Sequence, residues 1–285
     1  MFLSIAKHAL KLVLTLALGG ILAATLVRFA PGFGIDEERL DIRLNNQSIE
    51  ALTHQPQEGL ASFYVHYCKR LLHGDLGISH TLQRPVAELI RERLPETLKS
   101  VILGLFLAWT LGLSLACLAV MSRSLVLDIA TGMLCGALLC VPAAVMALIF
   151  VLTRAPERLA LALVLLPKIY SYCRNLLLRS SSQPHVLTAR AKGLGTLALL
   201  ARHILWPAAP QLLAVAGVSA GLAFTAAIPI EALCDLPGVG QLAWKAAMGR
   251  DLYLLITLTF LITAVTLVAN SACELLGGML SSRHA

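Results

Sequence analysis

Residues Pro184 to Pro207 read PHVLTARAKGLGTLALLARHILWP, a basic segment set between two long apolar runs, and its reading arranges the rest of the chain. Ser182 is placed to cap a short helix, Pro184 suits its first turn, and Gly193 supplies the left-handed position that ends it, with Leu194 folding back. The prediction is a two-turn helix carrying Arg190 and Lys192, held outside the membrane between two spans. A helix so placed can receive a soluble partner and pass a push to the spans on either side. The simpler reading is that basic residues in a short loop mark the cytoplasmic side whatever the loop does.

The apolar runs dominate the composition. Of 285 residues, 58% are hydrophobic and 14% charged, and the mean hydropathy of +0.78 excludes a soluble globular protein in favour of an all-α, polytopic membrane protein. A net charge of +7 would suit nucleic acid, but the charges are sorted by position. Ten acidic residues, Asp36 to Glu96, fall in one polar stretch, while basic residues dominate the other short loops. That asymmetry reports topology, and no nucleic-acid partner is expected. The seven cysteines are scattered without a CxxC pair, so no metal site is expected; Cys68 and Cys234 would both lie outside, where a disulfide is conceivable.

In chain order, Lys7 and Lys11 precede a first span over residues 12–30, read as a retained helix rather than a cleaved signal peptide. Residues 33–96 form an external segment. Within it, Val86, Leu89, Ile90 and Leu94 recur at helical spacing and predict an amphipathic helix at the membrane surface, ended where Pro95 turns the chain inward. Five further spans are expected within 97–277: 98–120, 125–152 with a kink at Pro142, 159–178, 208–228 and 252–276, with a cytoplasmic loop over 179–206. Six spans put both termini in the cytoplasm. Gly217-x-x-x-Gly221 in the fifth permits close helix approach, either within the chain or at a subunit interface. Between the last two spans, PIEALCDLPGVGQLAWKAAMGRD (229–251) reads as an outer loop that partly dips, with Leu242, Ala246 and Met248 lining a shallow helix.

Three motifs carry a resemblance. Ala189-Arg190-Ala191-Lys192-Gly193, followed by Ile204 and Pro207, resembles the coupling loop of the membrane subunits of binding-protein-dependent ABC importers. Gly74-Asp75-Leu76-Gly77 with Arg84-Pro85-Val86 and Arg93-Leu94-Pro95-x-Thr97 is similar to elements of the dipeptide, oligopeptide and nickel branch of that superfamily. Glu231, Pro237, Gly238, Gly240, Arg250 and Asp251 match its outer loop. The chain departs from the family in a shorter turn between spans three and four, and in Ser180, Ser181, Ser182 and Gln183 where acidic residues are common.

The resemblance implies a type I importer permease in a bacterial inner membrane, forming half of a path for short peptides, or alternatively for nickel or another small solute. It implies as partners a second similar permease, two ABC ATPases, an external substrate-binding protein and membrane lipid. Ala189, Arg190, Ala191, Lys192, Gly193 and Leu194 would meet an ATPase, and Glu231 to Asp251 would lie near the external mouth. From the residues themselves, no GxxxxGK[ST] loop or catalytic motif occurs, so the chain is not expected to be an enzyme. No cofactor is expected on it, and ATP with Mg would be held by the partner ATPases.

Lys168, mid-span beside Pro167, either lines an aqueous path, where it would favour a carboxylate, or snorkels or pairs structurally. His66, His73 and His80 repeat every seven residues, but Gly74 and Gly77 interrupt any shared helical face, so they read as solvated. A secondary transporter or channel is the competing class; it predicts buried coupling carboxylates, of which spans one to five offer almost none. A non-transporting scaffold is the third reading, opposed by the retained Gly193 and PGxG loop.

Overall fold

The computed structural model describes residues 14, 15, 18, 19, 25, 75–79, 81–122, 124–156, 158–249 and 251–281. The expected first span, the histidine repeat, Cys68 and Arg250 therefore lie outside the described residues, apart from a few helical positions of that span. The described part is helical: α1 (Val86–Ser122), α2 (Leu125–Leu139), α3 (Ala143–Thr153), α4 (Arg158–Ser181), α5 (Pro184–Ala191), a single turn Thr196–Ala198 leading into a π-helix Leu199–Leu205, α6 (Trp206–Leu233), α7 (Val239–Met248) and α8 (Leu252–Ser281). Among the described residues there is no strand, only a lone bridge between Ile78 and Pro85. Residues 1–91 with 245–263 form one compact unit, and 92–244 with 264–285 another.

Among the described residues, four helical stretches are long and apolar enough to cross a membrane: Val86–Ser122, Arg158–Ser181, Thr196–Leu233 and Tyr253–Leu280. Large side chains such as Leu125, Val126, Met133 and Phe106 are exposed, as befits a chain solvated by lipid on its flanks.

Three expectations are corrected here. The predicted surface helix does not stop at Pro95; α1 runs through it without interruption from Val86 to Ser122. Val86, Leu89 and Ile90, expected to lie on lipid, are buried in protein, so the amphipathic stripe is a packing face. The third span is not kinked but broken. α2 and α3 are bent by 93° about residues 140–142. At about 22 and 16 Å, neither half alone crosses a hydrocarbon core of about 30 Å. The cause is local: the Cys140 amide closes α2 on Ala137 O and the Val141 amide on Leu138 O, and Pro142, at φ −60° and ψ 148°, restarts the chain in an extended conformation. The loop expected over 179–206 is also shorter, because α4 continues to Ser181 and the next long helical run begins at Thr196.

In the unit formed by 92–244 and 264–285, α4 is the central element. Leu161, Leu165, Ile169, Tyr170, Cys173 and Leu177 are buried along it, and it packs on α6 and α2. Polar cross-links join the helices: Trp109 Nε1 on α1 donates to Ser219 Oγ on α6 at 3.0 Å, and Thr131 Oγ1 on α2 meets Tyr170 Oη on α4 at 2.7 Å. Arg174 forks onto both oxygens of Asp128 at 2.6 and 2.5 Å. The Gly217-x-x-x-Gly221 motif resolves as packing within the chain. A Cβ at Gly217 would stand 2.6 Å from Asn270 Oδ1, and one at Gly221 would stand 2.8 Å from Thr266 Cγ2, so both glycines let α6 and α8 close up.

Candidate functional site

The predicted helix forms as α5, Pro184–Ala191, with Pro184 in its first turn. Its N-cap is Gln183 rather than Ser182. Ser182 Oγ donates instead to Arg179 O at 2.9 Å, bonding back to the end of α4 and leaving no oxygen in place to cap the next helix. The C-terminus behaves as expected. Gly193 adopts φ +76°, its amide donates to Arg190 O at 3.0 Å, and the Leu194 amide reaches Ala189 O at 3.4 Å. These paired bonds are a Schellman motif, which a side chain at Gly193 would strain.

α5 has two faces. Val186 and Ala189 are buried, and the helix packs on the π segment, where Ile204 is also fully buried. Two side chains tie down the carbonyls of that segment: His185 Nε2 meets His203 O at 3.0 Å, and Ser180 Oγ donates to Ile204 O at 3.0 Å. The outward face carries Leu187, Thr188, Arg190, Ala191 and Lys192. Of the six residues expected to meet a partner, Arg190, Ala191, Lys192 and Gly193 are exposed, Leu194 is half-buried, and Ala189 is turned into the protein. The register explains this: Ala189 follows Val186 by three residues and shares its face.

The outer-loop motif is built differently. α6 continues to Leu233, so Glu231 sits in its last turn and is 1% exposed. Its Oε2 accepts from Thr97 Oγ1 at 3.1 Å and from the Gly240 amide at 2.7 Å, while Thr97 Oγ1 accepts from the Val239 amide at 2.7 Å. The first two amides of α7 are thereby satisfied by a carboxylate and a hydroxyl from two other helices. Gly238 and Gly240 are required by proximity. A Cβ on Gly238 would overlap the Glu231 carboxylate, and one on Gly240 would stand 2.7 Å from Ile228 Cα. Around this core Gln241 donates to Asp235 and accepts from Arg93 Nη1 at 3.0 Å. Pro237 is exposed at the turn. Leu242 and Ala246 are buried on α7 as expected, but Met248 is 70% exposed and belongs to the opposite face.

In the unit formed by 1–91 and 245–263, Asp251 is 2% exposed and caps α8 through Oδ1, which accepts from the Leu254 amide at 3.1 Å. Its Oδ2 accepts from Ser79 Oγ at 2.5 Å and the Thr81 amide at 3.1 Å. Arg93 and Thr97 stand in one motif and Gln241 in the outer-loop stretch, yet nothing local in the sequence assigns them a partner, and nothing there marks Ser79. Lys168 is half-buried beside Pro167 on α4 and, among the described residues, makes no ion pair.

Residues 100–284 match the family described as binding-protein-dependent transport system inner membrane component. The chain is 28% identical to the oligopeptide transport system permease protein of Escherichia coli, over 92% of each chain. It is 27% identical to a putative peptide permease protein of Brucella suis, over 95% of this chain and 96% of the relative. It is 25% identical to a probable peptide ABC transporter permease of Sinorhizobium fredii, over 95% of each. With the helical fold and the ordered motifs, this match places the chain in the family of inner membrane components of binding-protein-dependent transport systems, as a permease subunit of an ABC importer.

Proposed function

We propose that this permease pairs with a second, similar permease, that two ABC ATPases dock on the cytoplasmic loops of the pair, and that an external binding protein delivers short peptides to the shared path. Both compact units work as a single permease domain, with both termini in the cytoplasm. ATP and Mg are held by the ATPases and no cofactor by this chain. ATP-driven closure of the ATPases moves α5, and the movement alternates access to the path.

The observation that carries this reading is α5 itself: a short helix closed by Gly193, with one face packed on the π segment leading into α6 and the other presenting Arg190 and Lys192. The outer loop, from Glu231 through Pro237, Gly238 and Gly240 to Arg250 and Asp251, lies near the external mouth. Short peptides are the preferred cargo because the relatives are named for peptides and because Lys168, which makes no ion pair among the described residues, would attract a terminal carboxylate if it lines the path. Nickel or another small solute is the alternative. A self-sufficient ion-coupled transporter is disfavoured by Asp128, whose carboxylate is occupied by Arg174.

The test is co-purification of the membrane complex with the wild type, Gly193→Val and Gly195→Ala, counting the attached chains. Gly195 has φ −62° and open space around it, so its alanine variant should keep the ATPases, whereas Gly193→Val should shed them. A wild type that purifies alone and transports in ATP-free vesicles under an ion gradient would sink the proposal.

A further inference from the structure

A groove of about 500 Å³, lined by Ala198, Ala201, Arg202 and Trp206, opens at the π segment and the first residue of α6. The two alanines leave its floor unfilled. Arg202 is exposed and, among the described residues, makes no ion pair. Trp206 is 53% exposed, and Leu197, next in sequence to the lining residue Ala198, is 81% exposed. The groove lies within the first eleven residues of the apolar stretch Thr196–Leu233, at its α5 end. Residues 175–230 carry four basic side chains, Arg179, Arg190, Lys192 and Arg202, and no Asp or Glu, so the charge of this stretch favours an anion.

We propose that this groove binds the headgroup of an anionic phospholipid, with Arg202 on the phosphate and the Trp206 indole at the boundary between glycerol and acyl chains. A guanidinium matches phosphate oxygens through paired N–H donors. An indole is most at home where one side is wet and the other apolar. The small floor admits a headgroup, and the exposed leucine and indole give the first methylenes a surface. The choice of leaflet rests on the reading of this loop as cytoplasmic, because anionic lipid is plentiful there.

The test uses the full chain, purified in detergent with the subunits that accompany it, stripped of lipid and offered phosphatidylglycerol or phosphatidylcholine. Bound lipid is counted by native mass spectrometry. Phosphatidylglycerol should be retained in preference, and Arg202→Gln should lower its retention about fivefold, with Arg202→Lys intermediate. Trp206→Ala should weaken retention of both lipids. Unaltered phosphatidylglycerol retention in Arg202→Gln, or equal retention of phosphatidylcholine by the wild type, overturns the proposal. So does an Arg202→Gln complex that sheds ATPases while keeping its lipid, which would assign the groove to a protein partner. The leaflet is read separately, from Leu197→Cys in a background with the native cysteines replaced by serine. Labelling of intact cells by a membrane-impermeant maleimide would overturn the cytoplasmic reading while leaving headgroup selectivity standing.

Discussion

α5 and the α6–α7 corner are both short helical devices joined to a long span, yet they are held by opposite means. α5 is closed by its own backbone, through Gly193, and only Val186 and Ala189 are buried. At the α6–α7 corner a buried carboxylate, a hydroxyl and two amides from three helices interlock, with no room for a Cβ at Gly238 or Gly240. α5 is thus kept in shape locally with its outward face exposed, as the proposed docking of a partner requires. A corner locked by buried polar bonds is costly to open, since each group left unpaired pays its desolvation.

The contrast breaks if stability follows the wrong helix. Glu231→Ala has the largest expected effect: it strips a partner from Thr97 and from the Gly240 amide, and should destabilise the chain by about 3 kcal/mol, read as an earlier thermal melt in detergent. Thr97→Val keeps the shape but removes the hydroxyl shared by Glu231 and Val239, for about 2 kcal/mol in the same melt. Gly193→Val forces a branched side chain into the left-handed region and should cost about 1 kcal/mol, a small shift in melting beside a large loss of attached ATPase. Paired Arg190→Gln and Lys192→Gln should move the melt by less than about 0.5 kcal/mol while weakening ATPase attachment, because both side chains are exposed. Should the last pair melt earlier than Glu231→Ala, the assignment of lock and docking face is reversed.

The same contrast explains what was legible in the sequence. α5 could be read because its signals are local: a proline at the start, a glycine at the end, charges between. Even there the cap slipped by one residue, since α4 runs on to Ser181 and occupies Ser182 from behind. The lock could be quoted as a motif but not understood, because Thr97 stands 134 residues from Glu231 and 142 from Val239, and no periodicity joins them. Prolines misled in both directions. Pro95 lies inside a helix that passes through it, while Pro142 marks a full break, and the difference lies in the residues before each: Cys140 has already closed its helix, whereas Leu94 continues the run. Met248, read with Leu242 and Ala246 as lining one shallow helix, falls on the opposite face, because the two residues from Ala246 turn the chain by about 200°.

The π-helix at Leu199–Leu205 gives the connection between α5 and α6 a property that a plain α-helix would lack. Its hydrogen bonds reach one residue further than those of its neighbours, so the segment holds slack in whole residues. Passing one residue from the π turn into the adjoining α-helix would screw α5 round the axis of α6 by about 100° and advance it by about 1.5 Å. A displacement routed through this π turn would be taken up in steps of one residue, where a continuous α-helix has no such reserve.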